Sequence, residues 1–188
     1  MVKIGLISES EYDHEALKIV LLKQYSNIQI IRLLHRYPGH NLDSIKALGA
    51  LEIDFYTKKP KLIIVQRDLD TPLSNIDQKK KREVYFEQVH EIVNKLSIPL
   101  LHIQEIEALI LADTTSFNKR YKANLNYTGN PEYQNKPKEY LKSKSGRKGY
   151  IEAHSPELIA KIDIEKVRKK LNYFDQFLTT FEQHLQSA

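Results

Sequence analysis

Lys61 to Pro72 reads KLIIVQRDLDTP, an apolar run of strand length that ends in two aspartates separated by one leucine. Leu62, Ile63, Ile64 and Val65 have the composition of a strand buried on both faces, as in a parallel sheet. If the extended backbone continues, period-two geometry places Asp68 and Asp70 on one face and Leu69 on the other. Two carboxylates in so small a volume repel each other unless a cation lies between them, which points to a divalent ion. The opposing reading is a surface turn, since Asp, Thr and Pro are turn residues. A second acidic strand end shifts the balance. Val2 to Ile7 is another buried-strand run, and it breaks into Ser8-Glu9-Ser10-Glu11-Tyr12-Asp13. Parallel strands present their carboxyl ends along one edge, where sites collect, so Glu9 is expected to face Asp68 and Asp70.

The alternation of patterns around these strands predicts an α/β fold. Ser10 with Asp13 has the spacing of a capping box, and Ala16, Leu17, Val20 and Leu21 follow on one helical face. Asn27 to Leu34 reads as a strand, and Asn41 to about Thr57 as a helix with Ile45, Leu48 and Leu51 inward. After the Lys61–Arg67 strand, Gln78 to Leu96 reads as a long helix that buries Tyr85, Val89, Ile92, Val93 and Leu96. Its Lys79-Lys80-Lys81-Arg82 start is expected to stay in water. Pro99 to Ile103 is the fourth strand, leading through Gln104-Glu105-Ile106-Glu107 into another helix. Four strands alternating with helices predict a mainly parallel four-stranded central sheet with helices on both faces.

The chain has 188 residues, 41% of them hydrophobic, enough for one sizeable core. It has no cysteine, which excludes disulfides, thiolate metal sites and a cysteine nucleophile and suits the cytoplasm. The opening Met-Val-Lys-Ile-Gly-Leu-Ile lacks the length and cleavage site of a secretory signal. No apolar run approaches the roughly 18 residues of a membrane span. There is no Gly-rich phosphate loop and no serine in a nucleophile elbow, which argues against nucleotide triphosphatases, nicotinamide enzymes and serine hydrolases.

The net charge of +5 is unevenly spread. Between Thr114 and Tyr150, nine basic residues (Lys119, Arg120, Lys122, Lys136, Lys138, Lys142, Lys144, Arg147 and Lys148) stand against Glu132 and Glu139. Five of the eleven tyrosines also fall there: Tyr121, Tyr127, Tyr133, Tyr140 and Tyr150. Basic side chains neutralise phosphates and aromatic faces stack on unpaired bases, so this loop-rich segment is the expected nucleic-acid track. Lys148 or Lys138 is the candidate for a scissile phosphate. The chain therefore divides into a core over residues 1–113 and a basic segment with C-terminal helices over 114–188. In the latter, Ser155-Pro156-Glu157 and Asp163 open helices, and Phe174, Phe177, Leu178 and Phe181 form a packing stripe from Tyr173 to Leu185.

Glu9, Asp68 and Asp70 are the primary metal candidates, with Asp13, Glu105, Glu107 and Asp113 as further members. Mg2+ or Mn2+ takes oxygen ligands and needs only one or two protein carboxylates beside water and phosphate. Glu105 and Glu107 could complete a second metal position, though on a helix only one of them would face the site.

One glutamate after a first strand and Asp-x-Asp after a later one resembles the TOPRIM pattern. The matching residues are Ile4-Gly5-Leu6-Ile7-Ser8-Glu9-Ser10-Glu11-Tyr12-Asp13 and Ile63-Ile64-Val65-Gln66-Arg67-Asp68-Leu69-Asp70. Together with Gln104 to Asp113 and Asn135-Lys136-Pro137-Lys138-Glu139-Tyr140-Leu141, they resemble a small stand-alone TOPRIM-like family of short bacterial proteins, often encoded beside an ATPase in phage-defence loci. The overcoming-lysogenization-defect nucleases have a similar domain. The resemblance implies a TOPRIM-like α/β fold and a magnesium-dependent nuclease. In it Glu9, Asp68 and Asp70, and less directly Glu105 or Glu107, hold the ion. The partners it implies are nucleic acid and an ATPase, with further copies of the chain compatible and no membrane. The chain departs from that pattern at Ser10, where glycine is usual, and at Leu109, where tryptophan is usual. A non-catalytic adaptor that docks an ATPase or nucleic acid is the competing expectation.

Overall fold

The computed structural model describes residues 1–188 except Leu73 and Ala188, with the backbone alone at Lys148 and Ser187. Four strands, β1 (Val2–Ile7), β2 (Ile28–Arg32), β3 (Leu62–Asp68) and β4 (Ser97–His102), form one sheet in the order β2-β1-β3-β4. Every pairing is parallel, with Leu6 beside Ile64, Ile7 beside Val65, and Asp68 beside His102. The crossovers are α1 (Glu11–Gln24), α2 (Ile45–Lys58) and α3 (Ile76–Ile92). After β4 come α4 (Ala108–Ala112), α5 (Thr115–Tyr121), α6 (Pro137–Lys144), α7 (Ser155–Ile159), α8 (Ile164–Lys170) and α9 (Asn172–Ser187).

Strand parity divides the core in two, because successive side chains point to opposite faces. Ile4, Leu6, Leu62, Ile64, Ile98 and Leu100 pack with α1, α4 and the C-terminal helices. Ile7, Ile63 and Val65 pack with Leu51 and Phe55 of α2 and Tyr85 and Val89 of α3. Phe117, Leu141, Tyr150, Leu158, Phe174, Phe177, Leu178 and Phe181 belong to the first cluster, so residues after 113 complete the core on that face. Among the described residues, no helix is long and apolar enough to cross a membrane.

Local chemistry explains the starts. Ser10 accepts from the Asp13 amide while Asp13 accepts from the Ser10 amide, a complete capping box. Ser44 caps α2, and Asp163 caps α8 through the amides of Glu165 and Lys166. Ser155 is no cap: it is the first residue of α7, buried, with its hydroxyl against Tyr150.

Other expectations are also corrected. Leu96 lies beyond α3 and is exposed, because the helix stops at Ile92 and the chain turns through the left-handed residues Asn94 and Lys95. Ile45 is 89% exposed, since α2 starts only there and its inward face is Ala47, Leu51 and Phe55. Arg82 is buried rather than solvated, because its place on α3 aims it at the acids of the sheet edge. The expected polar loop from Thr71 to Asp77 includes Leu73, which lies outside the described residues.

Candidate functional site

The carboxyl ends of β1 and β3 gather acids as their sequence positions require, but parity sorts them onto two faces. Arg67 points to the α2/α3 side, where its Nε donates to Glu9 Oε1 at 2.6 Å and its Nη1 pairs with Asp43. Its guanidinium also lies 4.9 Å from the Tyr85 ring centroid. Burial opposes the Arg67 charge, yet Glu9 and Asp43 hold its pKa above the ordinary value. Arg82 adds a second cation, 3.5 Å from Glu9, 3.7 Å from Asp43 and 3.6 Å from Asp70, and its Nε donates to the Asp68 carbonyl at 3.0 Å. Gly39 closes this clamp: a Cβ there would stand 2.8 Å from Glu9 Oε2. Its amide donates to the Glu9 carbonyl at 3.1 Å.

Asp68 points the other way, toward α1 and α9. Its carboxylate accepts no hydrogen bond and has no cation within ion-pairing distance among the described residues. Burial, and after it the charges of Asp13, Glu9, Glu107 and Asp70, push its pKa well above the usual carboxylate range. Asp13 is likewise raised, chiefly by burial, against the lowering effect of Ser10. Glu107 is buried at the start of α4, accepts from Tyr150 Oη at 2.9 Å, and is pushed up to about 7, mainly by burial.

The members of the expected trio meet at one sheet edge and act on one another by charge, but each has different bonding partners. Glu9 hydrogen-bonds the Asp68 amide at 3.2 Å rather than sharing a ligand with its carboxylate, while its charge still bears on both Asp68 and Asp70. Asp70 does not share a face with Asp68 by strand geometry, because β3 ends at Asp68 and Asp70 turns left-handed at φ 58°. Of the pair after β4, Glu107 joins the cluster, whereas Glu105 accepts from the Lys138 amide at 2.9 Å and so caps α6. Asp113 accepts from Thr115 and from the Asp163 amide, a structural role. His14 is buried and held neutral, its pKa lowered to about 4 chiefly by burial; its Nε2 lies 4.0 Å from Glu15.

The basic segment is only partly free. Arg120 pairs with Glu157, Lys138 with Glu152 and, at 3.8 Å, Glu105, and Lys144 lies 5.3 Å from the Tyr140 ring centroid. Lys119, Lys136, Lys142 and Arg147 are exposed and have no ion-pair partner among the described residues. Lys148 lies in the turn Gly146–Lys148, and its side chain is outside the described residues. The tyrosines make a poorer stacking surface than their number suggests. Tyr121 and Tyr150 are buried, Tyr127 and Tyr140 pack edge to face 5.7 Å apart, and Tyr133 alone among the five is largely exposed.

Sequence reasoning missed a polar relay along the strand ends. Ser8 Oγ donates to Gln66 Oε1 at 3.1 Å, leaving Gln66 Nε2 as donor to His102 Nε2 at 3.1 Å. His102 is buried and neutral, its pKa lowered to about 3 by burial, so its Nδ1–H faces Tyr173 Oη at 3.0 Å. The Tyr173 hydroxyl hydrogen is then left for the acid cluster; burial and the Asp68 charge raise its pKa well above the usual value. The signal was present as polar residues at or just past the carboxyl ends of β1, β3 and β4, but it becomes visible only once the register of the strands is known.

A hard divalent ion fits the α1-facing acids by donor type and charge: Asp68, Asp13 and Glu107 offer oxygen only, and Asp68 lacks a counterion among the described residues. Among those residues no three His, Asp or Glu side chains already close on one point. The fit is therefore that of a hydrated ion on one or two carboxylates, as magnesium accepts, with Glu9 and Asp70 held by arginine.

A pH dependence follows. Protonated Glu107 adds stability that is complete below its ordinary value of 4.5 and is lost as pH rises through about 7. Asp68, also raised, acts in the same direction. In a chelator, the thermal midpoint is expected to fall over this window by the equivalent of about 3 kcal/mol. Thermal melts from pH 4 to 8 check this: Glu107→Gln should make the slope shallower by its share and leave the part that Asp68 contributes.

A family model for a domain of unknown function, DUF4276, matches residues 13–182. The matched span includes Asp13, Asp68, Asp70, Glu105 and Glu107 and begins just after Glu9. No curated protein and no solved structure gives a significant match.

Proposed function

The chain belongs to the DUF4276 family, a domain of unknown function; from its site we propose that it is a metal-dependent nuclease, the TOPRIM type resting on the resemblance of its motifs. The observation that carries the reading is Asp68, a carboxylate among four others with no cation of its own among the described residues, at the carboxyl edge of a parallel sheet. Such an arrangement raises the energy of the empty site and is relieved by a divalent ion. The ATPase partner and the anti-phage role rest on the resemblance of the four motifs alone.

In this reading Asp68, with Asp13, would hold a hydrated Mg2+ or Mn2+, which would polarise a phosphodiester and lower the pKa of a bound water. Glu107, whose pKa burial raises in the empty site and which Tyr150 orients, takes the proton of the attacking water. The water oxygen bonds to phosphorus, the bond to the leaving ribose oxygen breaks, and that oxygen is protonated from solvent. Lys138, whose charge acts on Glu107 and Asp70, brings positive charge to the phosphate. Glu9, held by Arg67, acts through the Asp68 amide as a positioning residue.

The test is titration of Mg2+ or Mn2+ with plasmid and tRNA, wild type beside Asp68→Asn. Cleavage that needs the metal and vanishes in the variant supports the reading; nicking that survives the substitution ends it. One observation favours a second reading, a non-catalytic adaptor: Arg67 and Arg82 already neutralise Glu9 and Asp70. Binding of nucleic acid or an ATPase without cleavage, in wild type alone and with its partner, would establish that alternative.

A further inference from the structure

A groove of about 370 Å3 runs between α1 and the segment after α6, lined among others by Tyr12, Lys138, Lys142, Tyr150, Ile151 and Glu152. It opens beside the acid cluster. Tyr12 precedes Asp13, Tyr150 donates to Glu107, and Lys138 reaches Glu105. We propose that this groove takes one unpaired base of a single-stranded nucleic acid next to the scissile phosphate, stacked on Tyr12. This rests on the nuclease reading and adds the strandedness of the substrate.

Three features carry it. The first is size: the volume sits at the low end of the roughly 300–1,000 Å3 of small-molecule sites, which suits one nucleotide and is far short of a duplex. The second is the lining. Tyr12 is 42% exposed and Ile151 55% exposed at the groove, large apolar surfaces facing water beside a polar cluster. A base already stacked within a duplex has no free face to offer them, whereas an unpaired base does. The third is charge. Lys138 is paired with Glu152, and Lys142 is offset by Glu139 on the same wall, so the groove is nearly balanced. A site meant for backbone phosphates would be strongly positive. This one suits a neutral ring, and leaves the phosphate to the divalent ion that the acid cluster beside it would hold.

The experiment measures binding without cleavage. A short fluorescein-labelled single-stranded oligonucleotide and its blunt duplex are titrated with wild type, Tyr12→Ala and Tyr12→Phe in Ca2+ without Mg2+ or Mn2+, by anisotropy, with intact probe confirmed on a gel and thermal melts to confirm folding. The expected result is tighter binding of the single strand, weakened roughly 5–150-fold by Tyr12→Ala, the equivalent of about 1–3 kcal/mol of stacking, and restored by Tyr12→Phe. Equal affinity for duplex and single strand, or an unchanged Tyr12→Ala, overturns the proposal. Wild type that binds single strands through Tyr12 yet cleaves nothing with Mg2+ keeps this site and removes the nuclease reading. Cleavage indifferent to Tyr12 does the reverse.

Discussion

Asp68→Asn is expected to abolish metal-dependent cleavage and, in the absence of metal, to make the protein more stable. The two effects have one cause. The Asp68 carboxylate is held among Asp13, Glu9, Glu107 and Asp70 by a fold that offers it no cation among the described residues, so its ionised form is disfavoured in the empty site. A carboxyl pKa raised on folding means that stability falls as pH rises, and a neutral amide of the same shape removes that penalty. In a chelator near pH 8 the variant should therefore melt higher than wild type, by about 2–4 °C for each kcal/mol recovered. With Mg2+ the order reverses. An ion at a hundred times its dissociation constant stabilises wild type by about 2.7 kcal/mol, or about 5–11 °C, and should leave the asparagine variant nearly unmoved. Cleavage should fall on the order of 10^2–10^3-fold or more, the scale of losing one group that stabilises transition-state charge. Melting curves with and without Mg2+ decide it. Equal midpoints in chelator and equal shifts with metal would show that Asp68 is not where the ion goes.

Arg67→Met should be the most damaging substitution for folding. The guanidinium is 2% exposed and, among the described residues, is the only side chain that holds both Glu9, at 2.6 Å, and Asp43 in hydrogen bonds. Methionine keeps much of the volume against Tyr85 but leaves two acids facing one another across the end of β3, with Arg82 alone between them at 3.5 Å and 3.7 Å. Breaking a buried ion pair by removing one partner destabilises by about 3–5 kcal/mol; Asp43 is half exposed, so the low end applies, about 6–12 °C in midpoint. Adding Glu9→Gln and Asp43→Asn to Arg67→Met should recover most of the loss, because the stranded charges cause most of it. A midpoint within 2 °C of wild type for Arg67→Met alone would mean that solvent screens the clamp.

The alternation of strands and helices was legible because it is local: apolar runs at Val2–Ile7 and Leu62–Val65, the Ser10–Asp13 box and the Asp163 cap each announce an element from its own residues. The gathering of acids at one sheet edge followed from that alternation, since parallel strands leave their carboxyl ends together. The expectation that the extended backbone continues to Asp70 failed because a strand pattern says nothing of where the strand stops; Asp70 turns left-handed, its amide bonded to the Gln104 carbonyl of the neighbouring chain segment. The reading of Arg82 as a solvated residue failed because a charged run looks alike whether or not one member has a buried partner across the sheet.

What the amino-acid order determined by itself is a four-stranded parallel sheet with carboxylates at the ends of β1 and β3, because period-two and helical patterns are encoded within each segment. Only the tertiary structure decided which acids share a face. Parity turns Glu9 toward Arg67 and Asp68 toward Asp13 and Glu107, and that depends on the register between strands and on helices packed from distant parts of the chain. The same distance in sequence separates Tyr12 from Lys138 and Ile151, so the groove between them exists only when the chain is folded.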